Sequence, residues 1–316
     1  MKPSTKMILE KQHYALADHA AVQICRWTKR SLRNEGFCYK QQFYGISSNR
    51  CIQMSPCTLF CQNFCLHCWR PIELTEGIKM KSKIMKPKEI IDKCIEMQKK
   101  LLSGFKGNVK VDKKKYFEAI QPNQFAISLS GEPTLYPYLG ELIKELRKRK
   151  ITSFLVTNGL NPKVLEKLSR KKQLPTQLYL SVTAPNKELF DKIVRSKLKN
   201  AWKKYIETVK LFPKLKTRKV IRMTLIKDLN MEDCLLNDYA KLIKIAKPNF
   251  IEVKSYMAVG HARQRLSYEK MPWHNEIKEF AKKLAKLTGL KILDEKKESC
   301  VVLLGKSKKN MKIKSC

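Results

Sequence analysis

Six times along the chain, a short apolar run rich in branched and aromatic residues gives way to a segment whose apolar positions recur at helical spacing. The runs cover 50–59, 124–129, 152–156, 178–182, 219–226 and 250–253. After Pro87, residues Ile90, Ile91, Cys94, Ile95, Leu101, Leu102 and Phe105 keep the helical period, as do Leu139, Leu142, Ile143 and Leu146. The same holds for Phe190 and Ile193, for Trp202, Ile206 and Val209, for Leu235, Tyr239, Leu242 and Ile243, and for Ile277, Phe280 and Leu284. Strand-then-helix units repeated without a break rich in Gly, Ser or Pro pair their strands in parallel through right-handed crossovers. This predicts an α/β fold, a partial (βα)6 barrel of TIM-like type, with reactive groups on loops at the C-terminal ends of the strands. Residues 1–50 are expected to form an N-terminal extension carrying cysteines and 51–260 the barrel. Residues 261–316 supply a last helix, a hairpin of 291–293 with 301–304 and a frayed basic tail from Lys306, the whole forming one compact unit.

At 316 residues and 43% hydrophobic content the chain can bury a sizeable core. Its 66 Lys and Arg against 28 Asp and Glu leave a formal net charge of +38, far more than solubility requires. Such a surplus points to a polyanionic partner, nucleic acid above all, bound in part through phosphate contacts. General surface solvation is the plainer alternative. Basic runs occur at 29–33, 113–115, 147–150 and 170–172. No apolar run approaches the roughly 18 residues of a membrane span, and Met1-Lys2-Pro3-Ser4-Thr5-Lys6 lacks the apolar core of a signal peptide. A cytoplasmic monomer with no membrane association is expected.

Eleven cysteines in a chain of this size suggest metal or redox chemistry rather than a disulfide scaffold, and seven of them crowd between Cys25 and Cys68. Cys61, Cys65 and Cys68 stand in the spacing C-x3-C-x2-C on a loop after the first strand. Three thiolates on one short loop can take three irons of a 4Fe-4S cluster and leave the fourth iron open to a substrate or cofactor. Cys65-x2-Cys68 is also zinc-ligand spacing, so a zinc knuckle is the competing reading. Cys57 imitates the first gap, but only the set beginning at Cys61 completes both gaps, and Cys57 is read as a strand residue. Cys25, Cys38 and Cys51 follow one another with twelve residues between each pair. They suggest a second metal centre, against the alternative that Cys25 and Cys38 are helix-face core thiols and Cys51 merely opens a strand. Cys94 lies on a helical stripe and reads as a core thiol, and Cys234 starts a helix.

The thiol loop, with His67 in the place of an aromatic residue before the last cysteine, resembles the radical S-adenosylmethionine (SAM) superfamily. That resemblance implies a cluster on Cys61, Cys65 and Cys68 whose open iron chelates SAM and cleaves it to a 5'-deoxyadenosyl radical. It also implies a glycine-glutamate-proline turn after the second strand, where Gly131-Glu132-Pro133 stands, offering backbone carbonyls to the SAM amino group. Thr157, Asn158 and Ser181, at the ends of later strands, are implied to line the SAM pocket through hydroxyl and amide groups. Strand termination alone would also explain those three. His261 and Arg263 follow the sixth strand, placed to meet substrate or SAM, or else to form a structural pair.

A narrower resemblance covers nearly the whole chain. Cys25, Cys38-Tyr39-Lys40, Phe43-Tyr44-Gly45-Ile46, Arg50-Cys51, Cys61 to Cys68 with Trp69-Arg70, Ser130 to Pro137, Ala184-Pro185-Asn186 and Gly260-His261-Ala262-Arg263 look like the archaeal tRNA 4-demethylwyosine synthases. The extra thiols, Cys57 among them, depart from that pattern. The resemblance implies two 4Fe-4S clusters, the second held by Cys25, Cys38 and Cys51 and chelating pyruvate, and SAM as cosubstrate. It implies joining pyruvate carbons to N1-methylguanosine-37 in the anticodon loop of phenylalanine tRNA, with Lys40 as the amine that forms a Schiff base. With no flavodoxin-like domain visible, an external electron donor such as a flavodoxin or ferredoxin is expected. Trp27, Tyr39, Tyr44 and Trp69 are candidates for stacking on the extruded base. The alternatives are another two-cluster RNA modifier, such as a methylthiotransferase, and a non-catalytic zinc and nucleic-acid binding protein.

Overall fold

The computed structural model describes residues 1–80 and 83–313. By internal contacts the chain divides into two units, one of Met1–Phe60, Glu76–Val156 and the C-terminal residues from Met311, the other of Cys61–Thr75 and Thr157–Asn310.

In the first unit the order is α1 (Pro3–Lys11), β1 (Ala15–Ala17), β2 (Ala20–Gln23), α2 (Arg26–Leu32), α3 (Tyr39–Tyr44), β3 (Cys51–Ser55), α4 (Pro87–Leu102), α5 (Lys113–Ala119), β4 (Gln124–Ile127), α6 (Leu139–Lys148) and β5 (Thr152–Thr157). Strands β3, β4 and β5 are parallel, with Cys51 level with Gln124 and Gln124 level with Thr152. Ile52, Met54, Phe125, Ile127, Phe154 and Leu155 are fully buried, as expected of parallel strands covered on both faces. Ile90, Ile91 and Cys94 of α4 and Leu142, Ile143 and Leu146 of α6 are buried too, so Cys94 is the core thiol its spacing predicted. The antiparallel hairpin of β1 and β2, whose β2 pairs antiparallel with β3, extends the sheet before the first parallel strand. Ile24, Leu32, Leu102, Val111, Tyr116 and Ala119 form a satellite core that fastens α2 and α5 to α4.

The second unit contains α7 (Pro162–Arg170), β6 (Gln177–Val182), α8 (Lys187–Val194), α9 (Ala201–Leu211), β7 (Arg218–Leu225), α10 (Leu236–Ala246), β8 (Phe250–Ser255), α11 (His274–Thr288), β9 (Lys291–Lys296) and β10 (Val301–Gly305). Strands β6, β7 and β8 are parallel, and β10 pairs antiparallel with both β8 and β9. The six strands expected from the apolar runs, three in each unit, and the closing hairpin are all present. The α/β fold of the predicted type is thus the one observed.

The tail differs from expectation. Met311 is buried, the Ile313 amide donates to the Tyr44 carbonyl at 2.9 Å, and the Lys312 stem packs against Gly45, so residues 311–313 are docked rather than frayed. The last three residues of the expected tail lie outside the described residues.

Asn230 shows how the strand ends of the second unit are fixed. Fully buried, it donates to the carbonyls of Thr183 at 2.7 Å and Thr224 at 2.9 Å, and its Oδ1 accepts the Ile226 amide at 2.6 Å. Asn230→Ala strands those three backbone groups without partners. We expect a loss of roughly 3 kcal/mol in stability, read as a lower denaturation midpoint at unchanged m-value.

Candidate active site

The Cys61–Cys68 loop, in the second unit, has little regular structure, and its backbone is tied down residue by residue. The amides of Phe64 and Leu66 donate to the carbonyls of Val194 at 3.1 Å and Ile193 at 2.9 Å. Those carbonyls end α8, where a helix has no partners of its own to offer, so one segment satisfies the other. The Gln62 carbonyl accepts from the Lys197 amide at 2.8 Å. The Gln62 side chain bonds Asn161 at 3.1 Å and Asn158 at 3.3 Å.

Arg265, which sequence reasoning passed over in favour of its neighbours, closes the other side of the loop. Its guanidinium donates to the carbonyls of Leu66 at 3.3 Å, Cys68 and Arg70, and pairs with Glu73. Gly260 packs so closely that a Cβ there would lie 2.5 Å from the Trp69 carbonyl oxygen, and its φ of +55° is one that side-chain-bearing residues rarely adopt. The His261 amide donates to that same oxygen at 3.1 Å. Of the two residues singled out after the sixth strand, His261 meets the loop through its backbone, and Arg263 donates to Ala258 within its own turn at 2.8 Å.

The thiols are close enough to feel one another. Cys65 is held well above the usual thiol range, first by burial and then by the nearby Cys68 and Cys61. Cys68 is raised by burial, with Arg70 acting against that. His67 is pushed down to about 4, mainly by burial and further by Arg222 and Arg265, so it is a neutral imidazole. Among the described residues its Nδ1 is buried without a hydrogen bond. No three His, Cys, Asp or Glu side chains among the described residues converge on a distance that one metal ion could bridge. Three neighbouring thiols on one loop are the donor set that three irons of a cluster would take.

In the first unit the structure gathers the other predicted set. Cys25 caps the start of α2, Cys38 caps α3 and Cys51 opens β3. The Cys38 sulfur accepts the Lys40 amide at 3.5 Å. The Cys51 thiol is raised by burial and then by Cys25, with Lys40 opposing and Cys38 adding to the rise. All four residues are therefore near neighbours, and neither Cys25 nor Cys38 lies mid-helix. Lys40 is buried, its ammonium 5.3 Å from the centroid of the Phe154 ring.

The turn at Ser130–Pro133, also in the first unit, is built around a glycine. A Cβ on Gly131 would lie 2.1 Å from the Cys57 carbonyl oxygen and 2.6 Å from that of Phe60, and its φ is +71°. Ser55 Oγ donates to the Ser130 carbonyl at 2.5 Å, and the Cys57 thiol donates to the Glu132 carbonyl at 3.0 Å. Among the described residues Gly131 is the one of these three whose carbonyl has no hydrogen bond. The Glu132 carboxylate is buried and accepts the Thr134 hydroxyl at 2.6 Å and its amide at 3.2 Å, so this side chain shapes the turn. Cys57 is accordingly a buried part of the turn.

The remaining predicted residues belong to the second unit. Thr157 Oγ1 accepts the Gly159 amide at 3.1 Å, Asn158 is tied to Gln62 as above, and Ser181 is half-buried near the end of β6. Of the aromatic residues proposed for stacking, Tyr39 and Tyr44 are buried core residues packed edge-on to Phe43, which leaves them no face for a base. Trp69 is 37% exposed, and Trp27 is half-buried with Arg30 over its ring.

A family profile described as the radical SAM superfamily matches residues 55–236, and one described as wyosine base formation matches residues 245–306. The S-adenosyl-L-methionine-dependent tRNA 4-demethylwyosine synthase of Pyrococcus abyssi is 46% identical over 299 residues, covering 94% of this chain and 87% of that protein. Its counterpart in Methanocaldococcus jannaschii is 41% identical over 303 residues, 94% of each chain. Among solved structures, that of TYW1 with a lysine-pyruvate adduct bound superposes with a TM-score of 0.87 at 37% identity, over 99% of this chain and 98% of the other. The crystal structure of archaeal TYW1 superposes with a TM-score of 0.81 at 34% identity, over 99% and 100%. Fold and thiol loop together define a radical SAM enzyme. Matches that run along nearly the whole chain disfavour both the methylthiotransferase and the zinc-binding module. The chain belongs to the tRNA 4-demethylwyosine synthases.

Two substitutions test this geometry. Gly131→Ala cannot keep the turn and should weaken SAM binding by about tenfold or more in equilibrium dialysis. Arg265→Ala removes a charged donor from several loop carbonyls, and a loss of about 2 kcal/mol or more in unfolding free energy is expected, with Arg265→Lys restoring little because an ammonium cannot fork.

Proposed function

We propose that this enzyme forms the tricyclic base 4-demethylwyosine on phenylalanine tRNA by joining two carbons of pyruvate to N1-methylguanosine-37, with two sets of three thiols dividing the work. The observation that supports the division most directly is the grouping of Cys25, Cys38 and Cys51 with Lys40 inside one unit, separate in sequence from Cys61, Cys65 and Cys68. When bound, a 4Fe-4S cluster on the second trio supplies with SAM the hydrogen-abstracting radical chemistry, and one on the first trio supplies an open iron for the oxygens of pyruvate.

The chain's own groups do the rest. Lys40 is the amine for the keto carbon. Its Nζ attacks that carbon, the carbonyl oxygen leaves as water, and an imine forms. A buried amine against an aromatic face suits this step, because little water is present to reverse it. The adduct between lysine and pyruvate borne by a solved TYW1 structure supports the assignment. The Gly131 carbonyl, left open by the turn, is the acceptor for the SAM ammonium, with Glu132 holding the turn. Thr157, Asn158 and Ser181 offer hydroxyl and amide groups to ribose and carboxylate oxygens. The tRNA brings its anticodon loop with the target base turned out of its stack, its phosphates drawn by the cationic surface. An external flavodoxin or ferredoxin provides the electrons.

Reduction with borohydride in the presence of pyruvate should add to the native protein the mass of one pyruvic acid less an oxygen atom, at Lys40. Lys40→Ala should show no such gain while still cleaving SAM to 5'-deoxyadenosine. Cys25→Ala should lower the reconstituted iron from about eight to about four per chain and abolish base formation. Base formation by both variants would refute the division of labour.

A further inference from the structure

At the end of the second unit opposite its thiol loop lies a cavity of about 760 Å³ among the first residues of β7 and β8, the last turns of α10 and α11 and the segment after β10. Strand β7 alone separates the two ends by eight residues, roughly 25 Å. The floor is apolar, from Ile243, Phe250 and Leu290, and the rim carries Arg218, Lys244, Lys247, Lys306 and Lys309 with no Asp or Glu in the lining.

Some lysines of this unit pair with carboxylates, among them Lys241 with Asp238 on the same helix as Lys244, Lys283 with Asp233 and Lys278 with Glu295. Lys244, Lys247, Lys306 and Lys309 are exposed and, among the described residues, form no ion pair. Arg218 is fixed in one orientation, its Nε donating to Gln177 at 2.5 Å, Nη1 to the Asn310 carbonyl, and its plane 4.7 Å from the Phe250 ring centroid. Four unpaired ammonium groups and a braced guanidinium around an open hollow form a concentration of positive charge that nothing in this unit neutralises.

We propose that this cavity is a second phosphate-binding site for the tRNA substrate, taking backbone phosphates of the molecule outside the anticodon stem-loop. The inference rests on the tRNA-modifying function above. The loop that presents position 37 occupies the catalytic end, so the phosphates that reach the opposite end come from beyond the anticodon stem. A rim of exposed lysines suits a polyanion passing across it, and point charges on flexible stems grip phosphates without reading bases.

The test compares reconstituted native protein with Lys244→Glu/Lys306→Glu, and with Lys203→Glu/Lys210→Glu on α9 as a charge-matched control outside the cavity. Dissociation constants are measured for full-length phenylalanine tRNA and for its isolated anticodon stem-loop. The cavity pair should weaken full-length tRNA binding by about tenfold beyond the control pair and reduce the slope of log K against log salt by about 2. Stem-loop binding should match the control. Equal effects of the two pairs on full-length tRNA, or an equal loss for the stem-loop, would overturn the inference. Native protein that binds neither RNA would instead overturn the proposed function.

Discussion

A loop with almost no helix or strand of its own keeps its shape only if other segments hold its backbone, and the Cys61–Cys68 loop is held from two sides. On one side it takes up the carbonyls that α8 leaves unpaired at its end. On the other, the single guanidinium of Arg265 gathers the carbonyls of Leu66, Cys68 and Arg70. Three thiols are thereby kept adjacent, in surroundings that withhold water and keep Cys65 and Cys68 above the ordinary thiol range. Such thiols give up their protons to a metal that replaces the lost charge stabilisation, which is the condition a cluster-binding loop must meet.

The first unit solves the same problem with different elements. Cys25 and Cys38 stand at the starts of short helices and Cys51 at the start of a strand, so three separate elements bring the sulfurs together where the other trio uses one loop. That arrangement leaves room for Lys40, the second residue of α3, to share the space. The Gly131 turn shows a similar economy: Ser55, the last residue of β3, and Cys57, two residues on, occupy two of its carbonyls and leave the middle one open.

Much of this was legible in the residues. The six parallel strands announced themselves because strands buried on both faces read as continuous apolar runs. The thiol loop and the Gly131 turn were legible from spacing and from their places at strand ends. The β1–β2 hairpin was not, since seven mostly Ala residues carry almost no strand preference. Arg265 was invisible because its partners lie almost two hundred residues away in sequence. Tyr39 and Tyr44 have rings suited to stacking, but Tyr39 packs on Phe43 of the same helix and Tyr44 on Phe43 and Phe154, which places both in the core. The basic tail concealed two apolar residues, Met311 and Ile313, one of them buried and the other tied through its amide to the Tyr44 carbonyl.

Two chemically distinct thiol trios on one chain, each leaving a corner of its metal centre free, is the claim on which the account of catalysis stands. Anomalous diffraction at the iron edge, from anaerobically reconstituted crystals, addresses it most directly. The account predicts two separate four-iron peaks, one bounded by the sulfurs of Cys61, Cys65 and Cys68 and the other by those of Cys25, Cys38 and Cys51. A zinc-edge signal at either trio, or one iron centre shared between them, would contradict it.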